Sequence, residues 1–169
     1  MSCRRGKHVL RPEVYVRIMD NKGVTLTELI TVVAIIGIMA AIAAPNIRPW
    51  MAKQELNATV RQVASHFNLA RSQAIRGNEI VRISFNTGDR WYTVVAANTG
   101  TIVPRTNLPD NIDMEIAFPS GATTTGFDSR GLVWNQRQGT VTITSSSAPA
   151  GGNTKTITVA LGGGVTITP

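Results

Sequence analysis

Few side chains in this 169-residue chain could do covalent or metal chemistry, and their spacing excludes most of it. The two histidines, His8 and His66, belong to no His-Glu-x-x-His pattern, and there is no P-loop. Serine, histidine and aspartate all occur, but no Gly-x-Ser-x-Gly elbow presents a nucleophile. The single cysteine, Cys3, can close neither an internal disulfide nor a Cys-rich zinc site. No catalytic residue, metal ligand or cofactor site is expected, so the chain does not read as an enzyme. One ionisable group is nevertheless placed where its charge is costly. Glu28 directly precedes Leu29–Ile47, a run with no formal charge. A carboxylate at mid-bilayer costs roughly 2.5–3.5 kcal/mol, and less near the edge, so Glu28 calls for a cation.

The element that must position Glu28 is a helix. At ~1.5 Å per residue, the uncharged run reaches about the thickness of a bilayer core. A buried helix of a soluble domain is seldom apolar on every face for so long. Basic residues flank the run on both sides, and the denser cluster comes first. Residues 1–23 hold Arg4, Arg5, Lys7, Arg11, Arg17 and Lys22 against Glu13 and Asp20, a net charge of +4. That end is expected to stay cytoplasmic while the remainder crosses. The rest of the chain carries only +3, so the high pI is mostly a property of the front.

The residues entering the run are Lys22-Gly23-Val24-Thr25-Leu26-Thr27-Glu28-Leu29. They resemble the class III signal of type IV prepilins and of type II secretion pseudopilins. The resemblance implies cleavage after Gly23 by a prepilin peptidase, methylation of the new amine at Val24, and retention of the apolar segment. It also implies that Glu28 pairs with the amine of an adjacent subunit and so sets the register of a filament. Val24 stands where the family usually has Phe, and Thr27 where it often has Ile. Leaders of this group are short and basic, and Met19 opens Met19-Asp-Asn-Lys-Gly23, so translation is expected to start there.

Helical periodicity continues past Pro45. Leu56, Val60, Val63, Phe67, Ala70 and Ala74 recur at alternating spacings of about 3 and 4, an amphipathic stripe. Gly77-Asn78 should end the helix. One helix is expected over Val24–Arg76, kinked at Pro45 and weakened at Gly37. A hairpin is expected over 80–97, then strands around Ile112–Phe118, Val141–Ile143, Ile157–Leu161 and Val165–Ile167. Segments 98–110, 119–126, 145–154 and 162–164 read as loops. Strands following one long helix, without βαβ alternation, predict an α+β fold in which the helix packs on an antiparallel sheet. The divisions are a leader at 1–23, a transmembrane and filament-core half-helix at 24–47, and a periplasmic globular domain at 48–169.

The globular part resembles pseudopilin H and the FimT-like minor pilins. Three cues carry this: Asn68-Leu-Ala-Arg-Ser-Gln-Ala-Ile-Arg76 leading into a hairpin, Phe127-Asp-Ser-Arg-Gly131 before a strand, and the Gly-rich step Gly162–Ile167. The resemblance implies a single-pass subunit of the bacterial inner membrane with its globular domain in the periplasm. It would be assembled with other pilins or pseudopilins into a type II secretion pseudopilus or a type IV pilus. The alternative within the family is DNA binding during uptake, which uses a basic Gly-Arg-x-Arg type motif near the C-terminus. Here that stretch is Gly162-Gly-Gly-Val-Thr-Ile-Thr-Pro169, without arginine, so nucleic acid is not an expected partner. His66 falls on the polar face of the helix and is expected to be solvated. Trp50 is expected to anchor at the membrane interface, and Trp91 and Trp134 to pack in the core or at a sheet edge.

Overall fold

The computed structural model describes residues 23–169; within the helix, the side chains of 42–46 lie outside that description. The expected leader, with Lys22 and the Met19 start, therefore lies outside the described residues. The described residues divide into two compact units, one ending at Ile42 and the other running over Ala43–Pro169.

Helix α1 runs over Leu26–Gly77. It starts two residues later than the sequence suggests because Thr25 caps it. The Thr25 hydroxyl accepts from the Glu28 amide at 3.2 Å, and the Leu29 amide bonds to the Thr25 carbonyl at 3.1 Å. Backbone helix continues through Gly37 and Pro45. Its first part is rich in Ile and Val, which are mediocre helix formers in water. Every described large apolar side chain there is exposed, from Leu26 at 74% to Val32 at 48%. Among the described residues no helix is long and apolar enough to cross a membrane; the expected span Leu29–Ile47 includes 42–46, which are only partly described.

In the second unit, the predicted stripe Leu56, Val60, Val63, Phe67, Ala70 and Ala74 is buried. The helix ends as Gly77-Asn78 predicted: Asn78 is left-handed (φ 47°), and the Glu79 amide bonds to the Ala74 carbonyl at 3.2 Å, a Schellman closure. Eight strands follow: β1 Val81–Asn86, β2 Trp91–Ala96, β3 Gly100–Asn107, β4 Ile112–Ala117, β5 Thr124–Phe127, β6 Gly139–Ser145, β7 Thr154–Val159 and β8 Val165–Thr168. They form two four-stranded antiparallel sheets, not the single sheet expected, in the orders β3-β2-β1-β5 and β4-β6-β7-β8. The inner faces of both sheets and the helix stripe share one core. Phe67 ties the helix to the first of these sheets, stacked on Phe85 of β1 at 6.0 Å and edge-on to Phe127 of β5 at 6.4 Å.

Two segments predicted as loops contain strands. β3 carries Pro104 and buries only Val103, so its pattern reads as loop; it is an edge strand, where a missing amide donor is tolerated. β5 is Thr-Thr-Gly-Phe and looks polar, yet its last three residues are buried. Gly126 lies so close to β1 that a Cβ would meet the Val81 carbonyl oxygen at 2.2 Å, and the buried Thr125 hydroxyl donates to the Arg137 carbonyl at 2.8 Å. Leu161, predicted to extend β7, is instead 50% exposed in the turn after it.

Candidate assembly site

The N-terminal residues that the sequence singles out are assembled by local geometry. Thr25, Leu26, Thr27 and Glu28 form the cap and first turn, in the Thr-x-x-Glu spacing of a capping box. Glu28 is thus the third helical residue. The helix start itself offsets part of its charge. The unbonded amides and dipole of a helix N-terminus favour a carboxylate, by about 0.3–1 kcal/mol at an exposed site. That is less than the cost of burying the charge in lipid. Among the described residues no cation pairs with Glu28. Val24, two residues before the helix, is 71% exposed, and among the described residues nothing lies within 4 Å of the Cβ position of Gly23. The expected cleavage site and the Glu28 carboxylate therefore sit at an exposed, capped helix start. Downstream, Trp50 is 61% exposed.

The globular unit holds three polar nodes that the sequence did not pick out. Arg71, on α1, donates to the Gly131 carbonyl at 3.0 Å and the Gly162 carbonyl at 3.3 Å. This pins two loops to the helix, and the Val133 amide joins them by bonding to the Leu161 carbonyl at 3.0 Å. Gly163, at φ 76°, approaches so closely that a Cβ would meet the Gly131 oxygen at 2.0 Å. Glu79, 5% exposed, clamps the β2–β3 turn. It accepts from the Thr99 hydroxyl and from the Asn98 and Thr99 amides at 2.6 and 3.1 Å. The Thr99 hydroxyl, then the Asn98 amide, hold its pKa below the usual carboxylate value against the opposing effect of burial.

The third node corrects the reading of His66. Its Nδ1 is hydrogen-bonded to the Tyr92 hydroxyl at 2.7 Å, and the residue is half-buried between helix and sheet. Burial lowers the His66 pKa and pushes the Tyr92 phenol up to about 12, so at neutral pH the contact is between two neutral groups. Trp91 and Trp134 are half-buried on the sheet surface, each with arginine over its ring.

The family model for the type II transport protein GspH matches residues 59–163, and that for the prokaryotic N-terminal methylation motif matches residues 18–44. The chain belongs to the GspH family. The GspH match spans the helix stripe, both sheets and the Arg71 node; the methylation motif spans Gly23, Val24 and Glu28. The fold agrees with two solved structures. One is the type IV minor pilin FimU of Pseudomonas aeruginosa, at TM-score 0.55 and 15% identity, covering 72% of this chain and 93% of that one. The other is the minor pseudopilin EpsH of the type 2 secretion system of Vibrio cholerae, at TM-score 0.56 and 15% identity, covering 68% and 96%. Two curated fimbrial proteins of Pseudomonas aeruginosa are 45% identical over 61 residues, 36% of this chain. The chain spans 40% of the length of those relatives.

The three sequence cues to the GspH group meet at one place in the structure. Arg71 comes from the Asn68–Arg76 helix end, Gly131 from the Phe127–Gly131 turn, and Gly162 from the Gly-rich step. A signal for this was present in the sequence as three short patterns, but nothing in their spacing says that an arginine on one bonds the carbonyls of the other two.

Proposed function

We propose that this GspH-type chain is a membrane-anchored minor subunit of a pilin-type filament, a type II secretion pseudopilus or a type IV pilus. A prepilin peptidase cuts after Gly23, the amine of Val24 is methylated, and the helix carries the globular unit into the filament. The observation that carries this reading is the methylation motif on a capped helix start, followed by apolar side chains exposed on every side. An uncharged Ile/Val-rich segment with no protein cover is stable where lipid or neighbouring helices surround it, and in lipid its amides must be bonded internally, which a helix achieves. The anchor, the single crossing and the periplasmic placement of the globular unit rest on Leu29–Ile47 and on the basic residues before it. Gly37 and Pro45 are the positions at which the helix is expected to bend within the filament.

In this reading Glu28 accepts a charged hydrogen bond from the Val24 amine of the neighbouring subunit, away from water, which sets axial register. Intact-mass measurement on membrane-extracted protein should give a chain starting at Val24 with one added methyl; a chain retaining Gly23 rules this out. Glu28→Ala should insert and be cut normally but fail to enter filaments, read by co-purification with the other pilins. Normal incorporation of that variant would show that the pairing is not needed.

A further inference from the structure

Where the uncharged run ends, α1 carries a face that the proposed assembly does not use. Arg48 is the first charged residue after Leu29–Ile47. Glu55 follows seven positions later, on the same side of the helix and about 10 Å further along its axis. Met51 and Ala52 lie between them on that side. With Asn111 and Ser147, these four residues line an open groove of about 480 Å3. Ala52 is buried at its floor, and Arg48, Met51 and Glu55 are exposed.

The wall opposite the helix is fixed by Asn111, just before β4. Its Nδ2 donates to Glu55 Oε2 at 2.8 Å, and its carbonyl accepts from the Ser146 amide at 2.9 Å and the Ser146 hydroxyl at 3.3 Å. Glu55 is thereby held in place with Oε1 left to accept from a ligand. Among the described residues no cation pairs with Glu55 and no carboxylate pairs with Arg48. The groove thus has a cation at one end, a carboxylate at the other and an apolar floor. Glu55 repels a simple anion and Arg48 a simple cation, so the chemistry suits a dipolar ligand.

We propose, resting on the membrane-anchored reading above, that this groove holds the headgroup of one aminophospholipid, its phosphate on Arg48 and its primary ammonium on Glu55. Charge complementarity and position along the helix carry the choice of occupant. With Leu29–Ile47 in the bilayer, Arg48 stands at its edge, where lipid phosphates lie, and Glu55 further out. The headgroup has the same order, phosphate next to the glycerol and amine beyond it. The Arg48 fork suits phosphate oxygens. Glu55 Oε1 accepts from an ammonium N–H, which the trimethylated nitrogen of a choline headgroup lacks. Exposed ion pairs are individually weak, so the acyl chains, held in the bilayer beside the apolar run, supply the local concentration. The contact holds the start of the globular unit at the bilayer surface before assembly and is released when the subunit leaves the membrane.

The test uses the full chain in dodecyl maltoside micelles, with bound lipid counted by native mass spectrometry. Dioleoyl phosphatidylethanolamine, phosphatidylcholine or phosphatidylglycerol is added in turn. One phosphatidylethanolamine should bind about fivefold or more tighter than either of the others. Arg48→Ala and Glu55→Gln should each erase that preference, and Glu55→Gln keeps an oxygen for Asn111 to bond. The exchange Arg48→Glu/Glu55→Arg, unchanged in net charge, should erase it too. Equal binding of the two zwitterionic lipids, tighter binding of phosphatidylglycerol, or variants that bind like wild type would overturn the proposal. So would glycerophosphoethanolamine, the headgroup without acyl chains, binding as tightly as the lipid, since the site would then serve a soluble ligand. Flotation with vesicles of phosphatidylethanolamine and phosphatidylcholine in equal parts separates this inference from the reading beneath it. A chain that floats but shows no lipid preference overturns the inference alone; one that does not float overturns the anchor and the inference together.

Discussion

The two parts of α1 have the same backbone and opposite surroundings. Between Leu26 and Met39 every large apolar side chain is exposed, whatever side of the helix it is on. Between Leu56 and Ala74 the apolar residues other than Ala58 and Leu69 keep to one stripe and are covered by two sheets. The polar residues of the second part, such as Lys53 and Arg61, point away from that stripe. The difference supports the roles proposed for the two parts. A helix apolar all round has its solvent or neighbours still to come, whereas a one-faced helix has found its partner in its own chain.

Substitution of the two parts should break this comparison most sharply. Phe67→Ala removes a fully buried ring shared by helix and sheet and should cost about 3–5 kcal/mol, a drop of about 10 °C or more in the melting temperature of the globular unit. Ile35→Ala, at a side chain 52% exposed, should leave that melting temperature unchanged. Equal effects at the two positions would mean that the first part is packed against the chain's own core after all.

A smaller effect is expected at the pin between helix and loops. Arg71→Met keeps much of the stem and removes both hydrogen bonds to Gly131 and Gly162, for about 1.5–3 kcal/mol. The β7–β8 turn should then lose amide hydrogen-exchange protection before β1 and β2 do. Uniform loss across both sheets would argue that Arg71 contributes through general packing alone.

The smallest effect belongs to Glu79 and is set by pH. Its folded pKa lies below the ordinary 4.5, so the charged clamp stabilises the folded chain above that value. The contribution is lost as pH falls below 4.5 and through the depressed folded value. Glu79→Gln should therefore melt below wild type at neutral pH, and the gap should close in acid. A gap that stays constant from neutral to acid would show that the carboxylate charge is not what holds Asn98 and Thr99.

Much of this was legible in the residues. The stripe from Leu56 to Ala74, the Gly77-Asn78 stop and the β1–β2 hairpin follow from periodicity and turn chemistry, which are local properties of the chain. The Gly23–Glu28 signal is legible for the same reason: its residues are neighbours in sequence and act as neighbours on one helix start. The capping role of Thr25 was there too, in the Thr-x-x-Glu spacing, but was eclipsed by the apolar run that follows it.

What the sequence could not state depends on contacts between distant segments. β3 and β5 became strands because β2 and β1 offered them open edges, a pairing energy that appears in neither segment's own pattern. The division into two sheets was decided in the same way. His66 left the solvated face because Tyr92, 26 residues on, supplied a hydroxyl at 2.7 Å. Arg71 acquired its role only when Gly131 and Gly162 were brought to it from 60 and 91 residues away. Periodicity records which face a residue occupies; it carries no record of which buried carbonyl or hydroxyl will lack a partner until that face is closed.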